Sequence, residues 1–120
     1  MGLYGFKPQF EAPILAGIKR HTIRAERKVM DRPGATMHLY IGLRHKGARC
    51  IGRPTCSKVE PISIDASRHI CVAGLWLDKG ECEQLARCDG FSCFDEMMAF
   101  WPDEKLPFTG HIYHWRHLNA

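Results

Sequence analysis

Met37-His38-Leu39-Tyr40-Ile41-Gly42-Leu43 alternates strictly between apolar and polar or small residues. Side chains of a strand point to opposite faces in turn, so the stretch predicts a half-buried strand. Met37, Leu39, Ile41 and Leu43 form its inner face. Upstream, Gly2–Lys7 predicts a short strand with Tyr4 and Phe6 on one face. Phe10, Ile14 and Ile18 recur at four-residue spacing, as on a short helix with Pro13 in its first turn and Gly17 as its stop. His21–Arg24 reads as extended, with Thr22 and Arg24 on one side and Ile23 on the other. Downstream, residues 49–64 are strand-like but broken by Gly52, Pro54 and Pro61. His69–Leu77 reads as one buried strand. Asp78 with Glu81 forms a capping arrangement opening a helix to about Arg87. Ser92 with Asp95 suggests the same for a second helix. There Phe94, Met97, Met98 and Trp101 make a core-facing stripe ended by Pro102. Residues 109–117 alternate as a last strand, with His111, Tyr113, Trp115 and His117 on one face. Too few helices stand at crossover positions for a parallel sheet. The expected fold class is α+β: a small, mostly antiparallel β-barrel or curled sheet with short helices at its ends.

Length and composition set the outer bounds. With 120 residues the chain is read as one domain, residues 1–120. Its 45% hydrophobic and 25% charged residues exclude a disordered or collagen-like chain. No apolar run is long enough to span a membrane, and no signal peptide is read at the start. The six cysteines show no C-x-x-C pair, which argues against zinc-ribbon and thioredoxin-like sites. Without a secretory signal they read as free thiols, and the expected location is cytoplasmic. A net charge of +4 is a mild basic bias. Its distribution is uneven: bases cluster in residues 19–32 and 44–53, acids in residues 78–104. The two basic clusters are expected to make one positive face.

One segment concentrates chemistry. Gly17-Ile18-Lys19-Arg20-His21-Thr22-Ile23-Arg24 sets a lysine, a hydroxyl and an arginine within six residues, just after a helix stop. This segment resembles the G-x-K-x-x-T-x-R signature of the activating-signal-cointegrator homology (ASCH) domain family. Asp89-Gly90-Phe91-Ser92, followed by an amphipathic helix to Trp101, is similar to the family's second recurring segment. The resemblance implies a PUA-like barrel with a basic cleft for RNA or a nucleoside. One bacterial branch hydrolyses N4-acetylcytidine to cytidine and acetate, and another has been described as ribonucleases. In the amidohydrolase branch the catalytic set is a lysine, a threonine three residues on and a glutamate in the second segment. These positions fall on Lys19, Thr22 and Asp89, an aspartate one methylene shorter. The family's frequent Gly-Asp before the strand at Thr36 is Gly34-Ala35 here.

The residues support the same chemistry directly. Amide hydrolysis needs a nucleophile, a proton carrier and oxyanion stabilisation. Thr22 can supply the hydroxyl, and Lys19, if desolvated, can take its proton. Asp89 can orient the lysine or handle the leaving amine's proton. Arg24 can hold a phosphate or an oxyanion. All three working groups are expected in a polar cleft. The bland alternatives are a solvated basic strand edge for Lys19 and Arg24, a β-branched strand residue for Thr22 and a turn residue for Asp89. Arg20, His21, Arg24, Tyr40 and Phe91 are the candidate substrate- or RNA-binding residues; His21 could carry a proton or stack a base, and Tyr40 could stack a base. His111, His114 and His117 are spaced by three, but His114 points away from the others on a strand, so no metal site and no cofactor are expected. The expected activity is hydrolysis of an N4-acylated cytidine nucleoside. The alternatives are a non-catalytic module binding single-stranded RNA and a ribonuclease. The expected partner is a modified nucleoside or single-stranded RNA, with no membrane.

Overall fold

The computed structural model describes residues 2–43 and 46–116. The chain runs β1 (Gly2–Phe6), α1 (Glu11–Leu15), β2 (His21–Ala25), β3 (Met37–Ile41), β4 (Arg49–Gly52), β5 (Cys56–Ile64), β6 (Ile70–Val72), β7 (Leu75–Trp76), α2 (Lys79–Cys88), α3 (Phe94–Met98) and β8 (Phe108–Trp115). Single 3-10 turns at Pro8–Phe10 and Asp103–Lys105 precede α1 and β8. This is an α+β fold with mostly antiparallel sheets and few, short helices. Among the described residues the strands form two sheets rather than a closed barrel, in the orders β1-β3-β4 and β2-β8-β5-β6-β7. Among the described residues only β1 and β3 pair in parallel. No helix among the described residues is long and apolar enough to cross a membrane.

The alternation in β3 does what its spacing dictates. Met37, Leu39 and Ile41 are buried, and His38 and Tyr40 are half-buried. Leu43 departs from the expected face: the strand ends at Ile41, Gly42 takes a left-handed φ of 69°, and Leu43 is 38% exposed. Tyr4 and Phe6 are buried from β1, and Tyr4 meets Tyr113 of β8 at 5.5 Å between ring centres. The chain crosses between the sheets at Arg53–Thr55, where Thr36 bridges Thr55 and the Met37 N–H donates to the Pro54 carbonyl at 2.8 Å.

Three other expectations are corrected. The run 69–77 is a hairpin, not one strand. Ala73 and Gly74 both have positive φ, 50° and 85°, the backbone of a two-residue type I′ turn. That turn carries Leu75 and Trp76 outward, 72% and 63% exposed. Ile18 lies beyond the left-handed Gly17 and is exposed, while Phe10 and Ile14 are buried. At α3 the N-cap is Cys93, not Ser92. The Phe94 N–H is satisfied instead by Glu83 of α2 at 3.0 Å, and Ser92 N–H points to Glu96 at 3.3 Å. Met97, Met98 and Trp101 are buried as their spacing requires, and Phe94 partly so. At α2 the Asp78–Glu81 capping box forms in both directions, at 2.8 and 3.0 Å. The last strand covers Phe108–Trp115, and His117, like Arg44 of the second basic cluster, lies outside the described residues. All six cysteines are free thiols.

Candidate active site

The end of α2 builds half of the site. Asp89 is its C-cap, and Gly90 follows with φ 94°. The Phe91 N–H donates to Ala86 at 2.9 Å and the Gly90 N–H to Arg87 at 3.0 Å, the paired bonds of a Schellman closure. This closure leaves the Asp89 carbonyl without a helical partner at the negative end of the helix dipole. A cation is the natural occupant, and Lys19 supplies it. The left-handed Gly17 ends the α1 turn, and the Ile18 and Lys19 N–H groups both close on the Pro13 carbonyl at 2.9 and 3.0 Å. The next residue is pinned on two sides: Arg20 N–H donates to Cys88 at 2.9 Å, and its carbonyl accepts from Trp115 at 3.0 Å. Lys19 is thereby fixed beside the helix end. Its Nζ donates to the Asp89 carbonyl at 2.7 Å and to Asp89 Oδ1 at 2.9 Å. The shorter carboxylate therefore reaches the lysine without the extra methylene.

Both partners are almost sealed from solvent, with Lys19 3% and Asp89 4% exposed. The open polar cleft expected for them is instead a buried pair. Removal from water disfavours each charged form. Burial pushes Lys19 below its ordinary range, against the opposing pull of Asp89. Burial raises Asp89 to about 6, against the opposing effects of Lys19 and Arg24. Both shifts lower the cost of moving the shared proton from the lysine to the carboxylate.

Thr22 and Arg24 share one face of β2, as its two-residue period requires. Arg24 Nε donates to Thr22 Oγ1 at 2.9 Å, and a second guanidinium N–H donates to the Gly5 carbonyl at 2.9 Å. The guanidinium also stacks 4.9 Å from the Phe6 ring centre, while Lys19 Nζ lies 5.0 Å from that of Phe10. Arg24 is clamped in place rather than extended for a phosphate. Because it fills an acceptor position on the Thr22 oxygen, the hydroxyl proton is left to be given elsewhere.

Lys19, Thr22, Arg24, Asp89 and Phe91 all line one cavity of about 570 Å3. Its walls are aromatic: Phe6, Phe10, Phe91, Phe100, Trp101 and Phe108. Phe91 is buried and meets Phe10 and Phe100 edge-on at 5.3 and 5.1 Å. Most of these walls were not identified from the sequence, where aromatics read as core; the crowding of Phe91, Phe100, Trp101 and Phe108 into one segment is the signal that points to them. Three expected residues lie elsewhere. Arg20 and His21 line a second cavity of about 760 Å3, with His114 and Glu60. Tyr40 lines neither cavity. The reason for His21 is strand alternation, which sends it away from Thr22. It nevertheless backs the site, with Nε2 3.5 Å from Asp89 Oδ1. Of the basic clusters, Lys19 is buried, Arg24 is enclosed, and Arg49 pairs with Glu11. His111 and His114 face different partners, Glu26 at 3.7 Å and Glu60 at 2.8 Å. No family model, curated protein or solved structure matches the chain.

Proposed function

We propose that this chain is a small hydrolase of PUA-like fold that removes the acyl group from an N4-acylated cytidine nucleoside. The observation that carries the reading is a buried, desolvated lysine–carboxylate pair opening into the same aromatic cavity as an oriented threonine hydroxyl. The residues concerned are those by which the chain resembles the ASCH amidohydrolases. An aromatic cavity of about 570 Å3 suits one planar base and its acyl group.

The chemistry balances on the chain's own groups. The Lys19 amine takes the Thr22 proton as Oγ1 bonds to the acyl carbon. The Arg24 guanidinium, 2.9 Å from that oxygen, sets a fixed positive charge beside the reacting centre. Collapse of the tetrahedral intermediate breaks the bond to N4, and the Lys19 ammonium returns its proton to the leaving nitrogen. Cytidine departs and leaves an ester on Thr22. Water then gives a proton to Lys19 and attacks the ester. The carboxylic acid leaves as the proton returns to Oγ1. Asp89 holds the lysine through both halves.

An RNA-binding module or ribonuclease is less well supported. Phosphate binding needs exposed cations along a path. Here Lys19 and Arg24 are enclosed and already hydrogen-bonded. The test is release of cytidine from N4-acetylcytidine by the purified chain.

A further inference from the structure

His21 is a buried histidine whose Nε2 has no hydrogen-bond partner among the described residues. Such an atom carries a desolvation cost and asks for an explanation. Its other nitrogen identifies the tautomer. A hydrogen bond to the Leu85 backbone favours protonation of the ring, which is the behaviour of a donor to a carbonyl. Because Nε2 is the unpartnered atom, that donor is Nδ1, and Nε2 carries the lone pair. The ring is kept neutral chiefly by its burial, with Lys19, Arg20 and His114 as the titratable neighbours around it. Behind His114 stand Glu60 at 2.8 Å and Lys58 of β5; beyond Asp89 stands Arg24.

Nε2 thus lies next to Asp89 Oδ1, the same oxygen that accepts from Lys19. The separation of 3.5 Å is too long for a formed hydrogen bond. One proton would change this contact from repulsive to bonding.

We infer that His21 is a positioning residue for the lysine: its Nε2 accepts the proton of neutral Asp89, and this holds Lys19 as the free amine. The transfer is internal. The proton leaves Lys19 Nζ for Asp89 Oδ1, and the new O–H donates to His21 Nε2. No charge enters or leaves the site. In the ion-paired form Lys19 satisfies Asp89, and His21 is left unpaired. In the neutral form all three groups are compatible. His21 thus biases the pair toward the form a general base requires. The inference rests on the hydrolase reading for its purpose, but not for its test.

The experiment follows the Lys19 15Nζ resonance of the full chain against pH, without substrate, in wild type, His21→Phe and His21→Gln. Phenylalanine keeps a ring and removes the acceptor; glutamine offers an amide oxygen. The midpoint for Lys19 deprotonation is expected to rise by one pH unit or more in His21→Phe, a tenfold gain in proton affinity, and to stay near wild type in His21→Gln. A folded His21→Phe whose midpoint is unchanged or lower overturns the inference. The wild-type imidazole 15N spectrum decides the matter even where a variant does not fold. Nε2 is expected to be unprotonated at neutral pH and to show hydrogen-bond acceptance as Asp89 gains its proton; a protonated Nε2 overturns the inference. Both readouts stand whether or not the chain releases cytidine.

Discussion

Lys19 is gripped twice by Asp89, through the carbonyl at 2.7 Å and the carboxylate at 2.9 Å. The carbonyl is a helix-end group that any residue at that position would offer. The carboxylate is specific to Asp89. Removing the side chain therefore leaves the lysine anchored but changes its charge balance. That separation of anchoring from charge underlies the first two predictions.

Asp89 makes the fold's stability fall as pH rises from about 4 to about 6. Its folded pKa, about 6, lies above the ordinary 3.8, so the folded chain holds a proton that the unfolded chain has lost. The contribution is fully present below the unfolded value and is lost through the folded one. From these two values it is on the order of 3 kcal/mol. Denaturant unfolding of wild type and Asp89→Asn across this range checks it. The difference between the two curves isolates Asp89 from the other acids, and a flat difference counts against the shift.

Lys19→Met removes the amine and leaves Asp89 buried. At pH 7 the loss is expected to be about 3–5 kcal/mol, the usual result of stranding one member of a buried pair. At pH 5 it is expected to be smaller, because the stranded carboxyl then takes up a proton. Urea titrations at the two pH values measure this. An equal loss at both would mean that the carboxylate is not the stranded group.

Gly90 is expected to resist replacement by alanine. Its φ of 94° is strained for any L side chain, and an added Cβ would meet Lys19 Cδ at 3.1 Å and Phe10 Cδ1 at 3.3 Å. Gly90→Ala is expected to lose about 1–3 kcal/mol. A shift of the Lys19 side-chain resonances is expected with it. Wild-type stability with unmoved Lys19 signals would contradict this account of the turn.

Thr22→Ala is expected to lower kcat/KM for N4-acetylcytidine about a hundredfold or more, the range for an activated nucleophile, while Thr22→Ser keeps most of the activity. Arg24→Lys is expected to fall between them, since it keeps a positive charge but loses the Nε donor held to Thr22. Steady-state kinetics with folding checked by circular dichroism decides. Equal rates for Thr22→Ala and Thr22→Ser would remove the hydroxyl from the mechanism.

Short-range rules made much of this legible. The Met37–Ile41 alternation fixes a face because strand side chains alternate. The Asp78–Glu81 box fixes a helix start because each side chain caps the other's backbone. The hairpin at Ala73–Gly74 was hidden because an apolar run with no Asn or Asp at its turn reads like one buried strand. The separation of His21 from Thr22 is implied by the strand period, although adjacency to a motif suggests one site for both. Nothing local links Lys19 to Asp89, 70 positions apart. Their pairing comes from the Arg20–Cys88 backbone bond and the closure of α2 at Gly90, neither of which local spacing signals.

The most direct measurement is the release of cytidine from N4-acetylcytidine by the purified wild-type chain, followed by chromatography with a chelator present and the fold checked in parallel. The account expects cytidine and acetate in equal amounts, undiminished by the chelator, and lost in Lys19→Ala. A folded wild-type chain that releases no cytidine would contradict it.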